Sequence, residues 1–223
     1  MIHFRNVSKF YRTRMGTQVV LRDASFDFDI GHNYGILGAN GAGKSTLLRM
    51  ISGGEPASSG KIYRRVRVSF PLGFSGTFNG YLTARQNATF MARVYKANIR
   101  KVLDFVWDFS ELGPYFDMPI NTYSSGMRAK FSLGLSFAID FDVYLVDEVT
   151  EVGDAKFRAK SAQAFRERVK RSDVIMVTHN SNTIKAYCDR GAVLENGRII
   201  FYPTIEEAIK VHSQNMSIAN VEN

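Results

Sequence analysis

One cysteine, Cys188, occurs in 223 residues, so no disulfide can form within the chain, and that usage agrees with a reducing compartment. Long apolar runs are missing too. A bilayer-spanning helix takes roughly 20 consecutive apolar residues, whereas Leu133–Ile139 and Val143–Val146 are short and broken by Asp140 and Asp142. Met1–Tyr11 alternates apolar with polar residues and holds no signal-peptide block, which predicts neither secretion through a cleaved leader nor a membrane span. Internal repeats and low-complexity segments are also lacking. Acidic residues are the minority, 21 against 29 Lys and Arg, giving a formal charge of +8. That excess suits nucleic acid, an anionic membrane surface or merely solvated helix faces, and does not separate them. The 45% of hydrophobic and 22% of charged residues that remain describe a folded domain with a sizeable core.

Hydrophobic periodicity supplies the elements. Ile2, Phe4 and Val7, then Leu21, Phe26, Phe28 and Ile30, alternate with polar residues as in two half-exposed antiparallel strands. Asn33–Leu37 reads as a short buried strand and Lys44–Ile51 as a helix closed by Ser52, Gly53 and Gly54. Extended chain is expected over Lys61–Phe70, followed by an irregular loop containing Pro71, Gly73, Gly76 and Gly80. Ala84–Tyr95 and Ile99–Trp107 have helical spacing, so a small helical insertion is expected there. Ser125–Ala138 and Ala155–Val169 predict further helices, Val143–Val146 and Asp173–Val177 buried strands, and Thr183–Tyr187 a short helix. A hairpin, Ala192–Glu195 and Arg198–Tyr202, turns at Asn196-Gly197. After Gln214 the tail is polar enough to fray. Strands alternating with helices imply an α/β fold whose mixed sheet has a parallel core.

Gly38-Ala39-Asn40-Gly41-Ala42-Gly43-Lys44-Ser45 fits the phosphate-loop pattern G-x-x-x-x-G-K-[ST], between an apolar strand and a helix as that pattern requires. Glycines let consecutive backbone N–H groups turn toward phosphate oxygens, and the helix start adds roughly half a positive charge. Lys44 then reaches the β and γ phosphates and Ser45 can ligate Mg²⁺. The motif predicts binding of ATP or GTP. Val143–Val146 delivers Asp147-Glu148 to the carboxyl edge of the sheet, where ligands of open α/β sheets sit. Asp147 is expected on Mg²⁺ with Ser45, and Glu148 on the attacking water. His179, one residue beyond a second core strand, faces the same edge, where it can contact the γ phosphate and hold Glu148 and the water.

The order phosphate loop, helical insertion, Ser124-Ser125-Gly126-Met127, Asp147-Glu148 and His179 resembles the nucleotide-binding subunit of ABC transporters over nearly the whole chain. The resemblance implies one ABC cassette over residues 1–223, a P-loop NTPase with N-terminal antiparallel strands and a helical subdomain at about 81–140. It implies that the nucleotide is ATP, held by Gly38, Asn40, Gly41, Ala42, Gly43, Lys44, Ser45 and Thr46 with Mg²⁺, and that Tyr11 stacks on adenine. Tyr123-Ser124-Ser125-Gly126-Met127 stands where the family has LSGGQ, and Ser124 and Gly126 would cap the ATP of a second subunit in a homodimer. Asp154 matches the aspartate of a loop crossing that dimer interface. One departure concerns the glutamine that the family places before the helical insertion. Between Val68 and Tyr81 no glutamine occurs, and Ser75 is the polar candidate there.

Pro71-Leu72-Gly73-Phe74, Gly80-Tyr81-Leu82-Thr83-Ala84-Arg85-Gln86-Asn87 and Tyr-Ser-Ser-Gly-Met-Arg are similar to the ATPases of polysaccharide exporters. The short capsular-polysaccharide type fits better than the longer O-antigen type, since the chain ends near Asn223. The expected partners are two copies of a polytopic permease subunit and a periplasmic adaptor, with the protein peripheral on the cytoplasmic face of the inner membrane. Other readings are an O-antigen, teichoic-acid or drug exporter, an importer, a regulatory cassette, or an ABC ATPase acting on nucleic acid. The last requires coiled-coil or second-cassette segments for which the length leaves no room, so no nucleic-acid partner is expected.

Overall fold

The computed structural model describes residues 1–14, 16–72, 78–147, 154–178 and 180–221, with 218–221 described by backbone alone. Two compact units emerge, one of residues 1–71, 142–148 and 172–223, the other of residues 72–141 and 149–171.

In the first unit, β1 (Ile2–Thr13) and β2 (Gly16–Phe28) pair antiparallel with Ile2 opposite Phe28 and Phe4 opposite Phe26. The alternation seen in the sequence is spent on burial: Ile2, Phe4 and Val7 are buried between more exposed neighbours on β1, and Leu21 and Phe28 are buried on β2. Asn6 (φ 51°) and Asp23 (φ 41°) adopt left-handed conformations where the pairing shifts register, as at β-bulges. Strand β3 (Tyr34–Leu37), buried at every position, runs through the glycine loop into α1 (Lys44–Ser52). The return strand β4 (Ser59–Arg64) pairs antiparallel with β1, so this sheet has the order β2-β1-β4. Arg64 closes the helix from the strand side, its Nε donating to Ile51 O (2.7 Å) and Nη2 to Met50 O (2.5 Å). A cation on the last carbonyls answers the negative end of α1.

The second unit is helical among its described residues: α2 (Ala84–Val94), α3 (Ile99–Ser110), α4 (Ser125–Ala138) and α5 (Ala155–Val169). Each start is written in its cap. Thr83 and Gln86 form a reciprocal capping box, Asn98 accepts from Lys101 N, Ser124 from Met127 N, and Asp154 from Phe157 N. Helix α3 continues to Ser110, past the expected end at Trp107, because Phe109 is buried against Phe137 and Phe157 at centroid distances of 5.6 and 5.5 Å. Gly134 lets that ring close on α4: a Cβ there would lie 3.2 Å from Phe109 Cδ1.

Back in the first unit, β5 (Val143–Asp147), β6 (Asp173–Val177), β7 (Arg190–Glu195) and β8 (Arg198–Tyr202) complete the second sheet, with α6 (Ser181–Tyr187) between β6 and β7 in the chain. Its order is β5-β6-β3-β7-β8, parallel from β5 to β7, with β8 antiparallel at the edge. The mixed sheet with a parallel core is therefore as expected. Beyond β5 the extended segment at Val68 bridges Val143 in parallel, and buried Ser69 is bonded at both ends: its N–H donates to Val143 O, and its Oγ accepts from Leu145 N, each at 2.9 Å.

Beyond the hairpin the chain forms α7 (Ile205–Val221), a helix that runs through the segment after Gln214 expected to fray. Glu206 and Glu207 occupy its first turn, where the helix dipole favours carboxylates, and Ile205 and Ala208 are buried on the sheet. Glycines make the contact possible. A Cβ on Gly191 would stand 2.2 Å from Ala208 Cβ, and one on Gly35 would stand 2.6 Å from Ile184 and Ile205.

Candidate functional site

Strand β3 stops at Leu37 and hands the chain to a loop that only particular residues can build. Gly41 (φ 79°) and Gly43 (φ 99°) are left-handed, and Ala42 N donates to Ala39 O at 3.1 Å between them. Gly43 caps α1 without a side chain, leaving the first-turn N–H groups to the loop. Lys44 folds back over the loop, its Nζ donating to Gly38 O (2.7 Å) and Ala39 O (2.9 Å), although only 8% of its surface is exposed. A buried ammonium bonded to the carbonyls of a phosphate loop is positioned to trade them for phosphate oxygens.

A pocket of about 690 Å³ opens beside this loop, a size suited to a small molecule. Asn40, Gly41, Gly43, Lys44, Ser45 and Thr46 line one side, with Tyr11 and Asp147 also on its wall. Gly38 and Ala42 belong to the same loop without lining the cavity. The structure thus brings Tyr11, the phosphate loop and the end of β5 to one place, though they lie far apart in sequence. Val177, at the end of β6, also lines it, which confirms that the pocket sits at the carboxyl edge of the parallel strands.

Ser45 and Asp147 offer the pocket a hydroxyl and a carboxylate, hard oxygens of the kind that Mg²⁺ takes together with phosphate and water. Among the described residues no group of three or more His, Cys, Asp and Glu gathers around a possible metal position. The donor set fits.

Glu148, His179 and Ser75 lie outside the described residues. Ser124 and Gly126 lie in the helical unit, whereas the phosphate loop lies in the other. Ser124 is exposed and its Oγ accepts from Met127 N at 3.2 Å, so it caps α4; a Cβ on Gly126 would meet nothing nearer than Ser124 Oγ at 4.0 Å. Both therefore present an open helix start. The preceding Tyr123 is buried and donates to Tyr115 O (2.5 Å), and burial raises its phenol to about 12. Asp154 caps α5, and the hydrogen bond from Phe157 N holds its carboxyl below the usual range.

Three contributors to this region carry no signal in the sequence. Glu55, in the turn after α1, accepts from Lys9 (2.8 Å), from Arg49 Nε (2.9 Å) and from the hydroxyl of Tyr11. Arg49 also donates to Thr46 Oγ1 at 3.0 Å. Burial alone would raise the Glu55 carboxyl, but the bonds from Lys9, Tyr11 and Arg49 outweigh it and hold the group down at about 2.

A family model described as ABC transporter matches residues 21–151, more than half of the chain. The chain belongs to the ABC transporter family. Polysialic acid transport ATP-binding protein KpsT of Escherichia coli is 47% identical over 212 residues, 94% of this chain and 95% of that protein. Capsule polysaccharide export ATP-binding protein CtrD of Neisseria meningitidis serogroup B is 45% identical over 96% of this chain and 99% of its own length. Among solved structures, a dimeric ATP-binding cassette in a post-hydrolysis state bound to ADP and Pi superimposes with a TM-score of 0.69. It covers 90% of this chain and 98% of the neighbour at 21% identity, a likeness of fold. The expected ABC cassette fold is thus the observed one. Among the described residues no helix is long and apolar enough to cross a membrane.

Proposed function

We propose that the chain is the ATP-hydrolysing subunit of an ABC exporter that drives capsular polysaccharide across the inner membrane through a separate membrane-spanning subunit. The observation that carries the reading is the convergence of Tyr11, Lys44, Ser45 and Asp147 on one pocket. The names of the proteins that the chain resembles over almost its full length supply the substrate class.

In this reading residues 1–223 form one nucleotide-binding domain. Adenine stacks on Tyr11, the loop N–H groups hold the phosphates, and Lys44 leaves the Gly38 and Ala39 carbonyls for the β and γ oxygens. Ser45 and Asp147 would hold Mg²⁺, which when bound neutralises charge on the phosphates. Glu148 orients or deprotonates the attacking water and His179 keeps the two in register. Ser124 and Gly126 of a second copy cap the γ phosphate from their open helix start. ATP thus favours a closed homodimer, and hydrolysis with phosphate release reopens it. Work is extracted because ATP binds the closed state better than the open one.

Two copies of a polytopic permease, with a periplasmic adaptor beyond it, complete the assembly, and the subunit sits on the cytoplasmic face of the membrane. The deciding test is co-purification from membranes. A stable complex with a polytopic protein, whose ATPase activity rises with the polysaccharide, supports the proposal; activity indifferent to any membrane partner removes the transport half of it.

A further inference from the structure

Tyr11 is held by more than its strand. Its hydroxyl donates to Glu55, and Lys9 Nζ lies 4.8 Å from the centroid of its ring. The same lysine bonds the Glu55 carboxylate at 2.8 Å and Pro56 O at 3.0 Å, and is itself buried. From the other side Arg49 of α1 grips Glu55 at 2.9 Å while reaching Thr46 Oγ1 at 3.0 Å. One carboxylate, 17% exposed, therefore ties β1 to the helix that follows the phosphate loop.

Its partners Tyr11 and Arg49, and Thr46 bonded to Arg49, line the nucleotide pocket, and Glu55 does not. Its influence on a ligand must pass through them. An aromatic ring has two faces, and a cation over one leaves the other for a planar ligand. A tyrosine fixed at its hydroxyl and backed on one face has lost its rotameric freedom before the ligand arrives, which lowers the ordering cost of binding.

We propose that Glu55 is a positioning residue for nucleotide binding, holding the Tyr11 ring with Lys9 against one face so that the other is preset for the base. Arg49 anchors the carboxylate to α1, so the aromatic platform is kept in register with the phosphate loop. The inference rests on the reading of Tyr11 as the base platform. Glutamine at Glu55 keeps the shape but removes the charge shared by Lys9 and Arg49, and it offers a single acceptor oxygen to three donors.

The test is calorimetric titration of the full chain with ADP and, as a base-free probe, inorganic pyrophosphate, for wild type, Glu55→Gln, Tyr11→Ala and the double variant. The proposal expects about a fivefold weaker ADP affinity for Glu55→Gln, or about 1 kcal/mol. Pyrophosphate affinity should stay within about twofold, and the change should add little to Tyr11→Ala. In turnover the KM for ATP should rise with kcat nearly constant. Equal losses for ADP and pyrophosphate, or full additivity in the double variant, overturn it as general damage to the fold. Wild-type ADP affinity in Glu55→Gln beside a loss in Tyr11→Ala removes this inference alone. Wild-type affinity in Tyr11→Ala removes the platform reading and the inference together.

Discussion

Gly43 lies so close to Val20 that a Cβ on it would fall 2.3 Å from Val20 Cγ1. Strand β2 thus braces the end of the phosphate loop, and the loop's last glycine is required twice, by this approach and by its φ of 99°. Gly43→Ala should cost about 1–2 kcal/mol for the left-handed backbone plus a similar amount for the clash. Val20→Ala in the same chain should recover the second part and not the first. Urea unfolding midpoints of wild type and the two variants check this, and nucleotide affinity should follow the same order.

Glu55 makes stability depend on acid. Burial raises its carboxyl, but the bonds from Lys9, Tyr11 and Arg49 lower it by more, to about 2 from an ordinary 4.5. A folded-state value below the unfolded one means that the contribution is complete above about pH 4.5 and is lost as pH falls toward 2. The stability gap between wild type and Glu55→Gln should accordingly be wide at pH 6 and narrow steadily below about pH 4.5. A gap independent of pH over that window would contradict the bonding of this carboxylate.

Ser69 should be costly to remove, since it is fully buried and its Oγ is the acceptor for Leu145 N. Ser69→Ala leaves that N–H buried and unpaired, a loss of about 1–3 kcal/mol read as a shift in the urea midpoint. The strand concerned, β5, ends at Asp147, so nucleotide affinity should fall together with stability.

Much of this was legible in the residues, and what was not has a common cause. The starts of α4 and α5 were legible because Ser124 and Asp154 cap them within three residues, and the phosphate loop because its glycines, lysine and serine are contiguous. Helix α7 was hidden: the small apolar contact that holds it, Ala208 on Gly191, joins elements distant in sequence. Glu55 was hidden for the same reason. Its partners Lys9 and Tyr11 lie on β1, and no spacing rule connects a turn after one helix with the middle of a strand. The roles proposed for Ser124 and Gly126 require a second copy, and in a single chain these residues show only an open helix start.

Cys188 should resist chemistry in the folded chain. It is buried, and burial, with a lesser push from Asp189, raises its thiol to about 12. The thiolate is the reactive form, so at pH 8 a disulfide reagent should label it only when the protein unfolds. Adding urea should release stoichiometric labelling; fast labelling of the native chain would contradict the burial of this thiol.

Hydrolysis of ATP at the pocket beside Lys44 is tested most directly by phosphate release at saturating ATP, Glu148→Gln against wild type. The account predicts that the variant binds ATP and turns it over at least about a hundredfold more slowly, as expected when a positioned base is removed. Phosphate release equal to that of the wild type would contradict it.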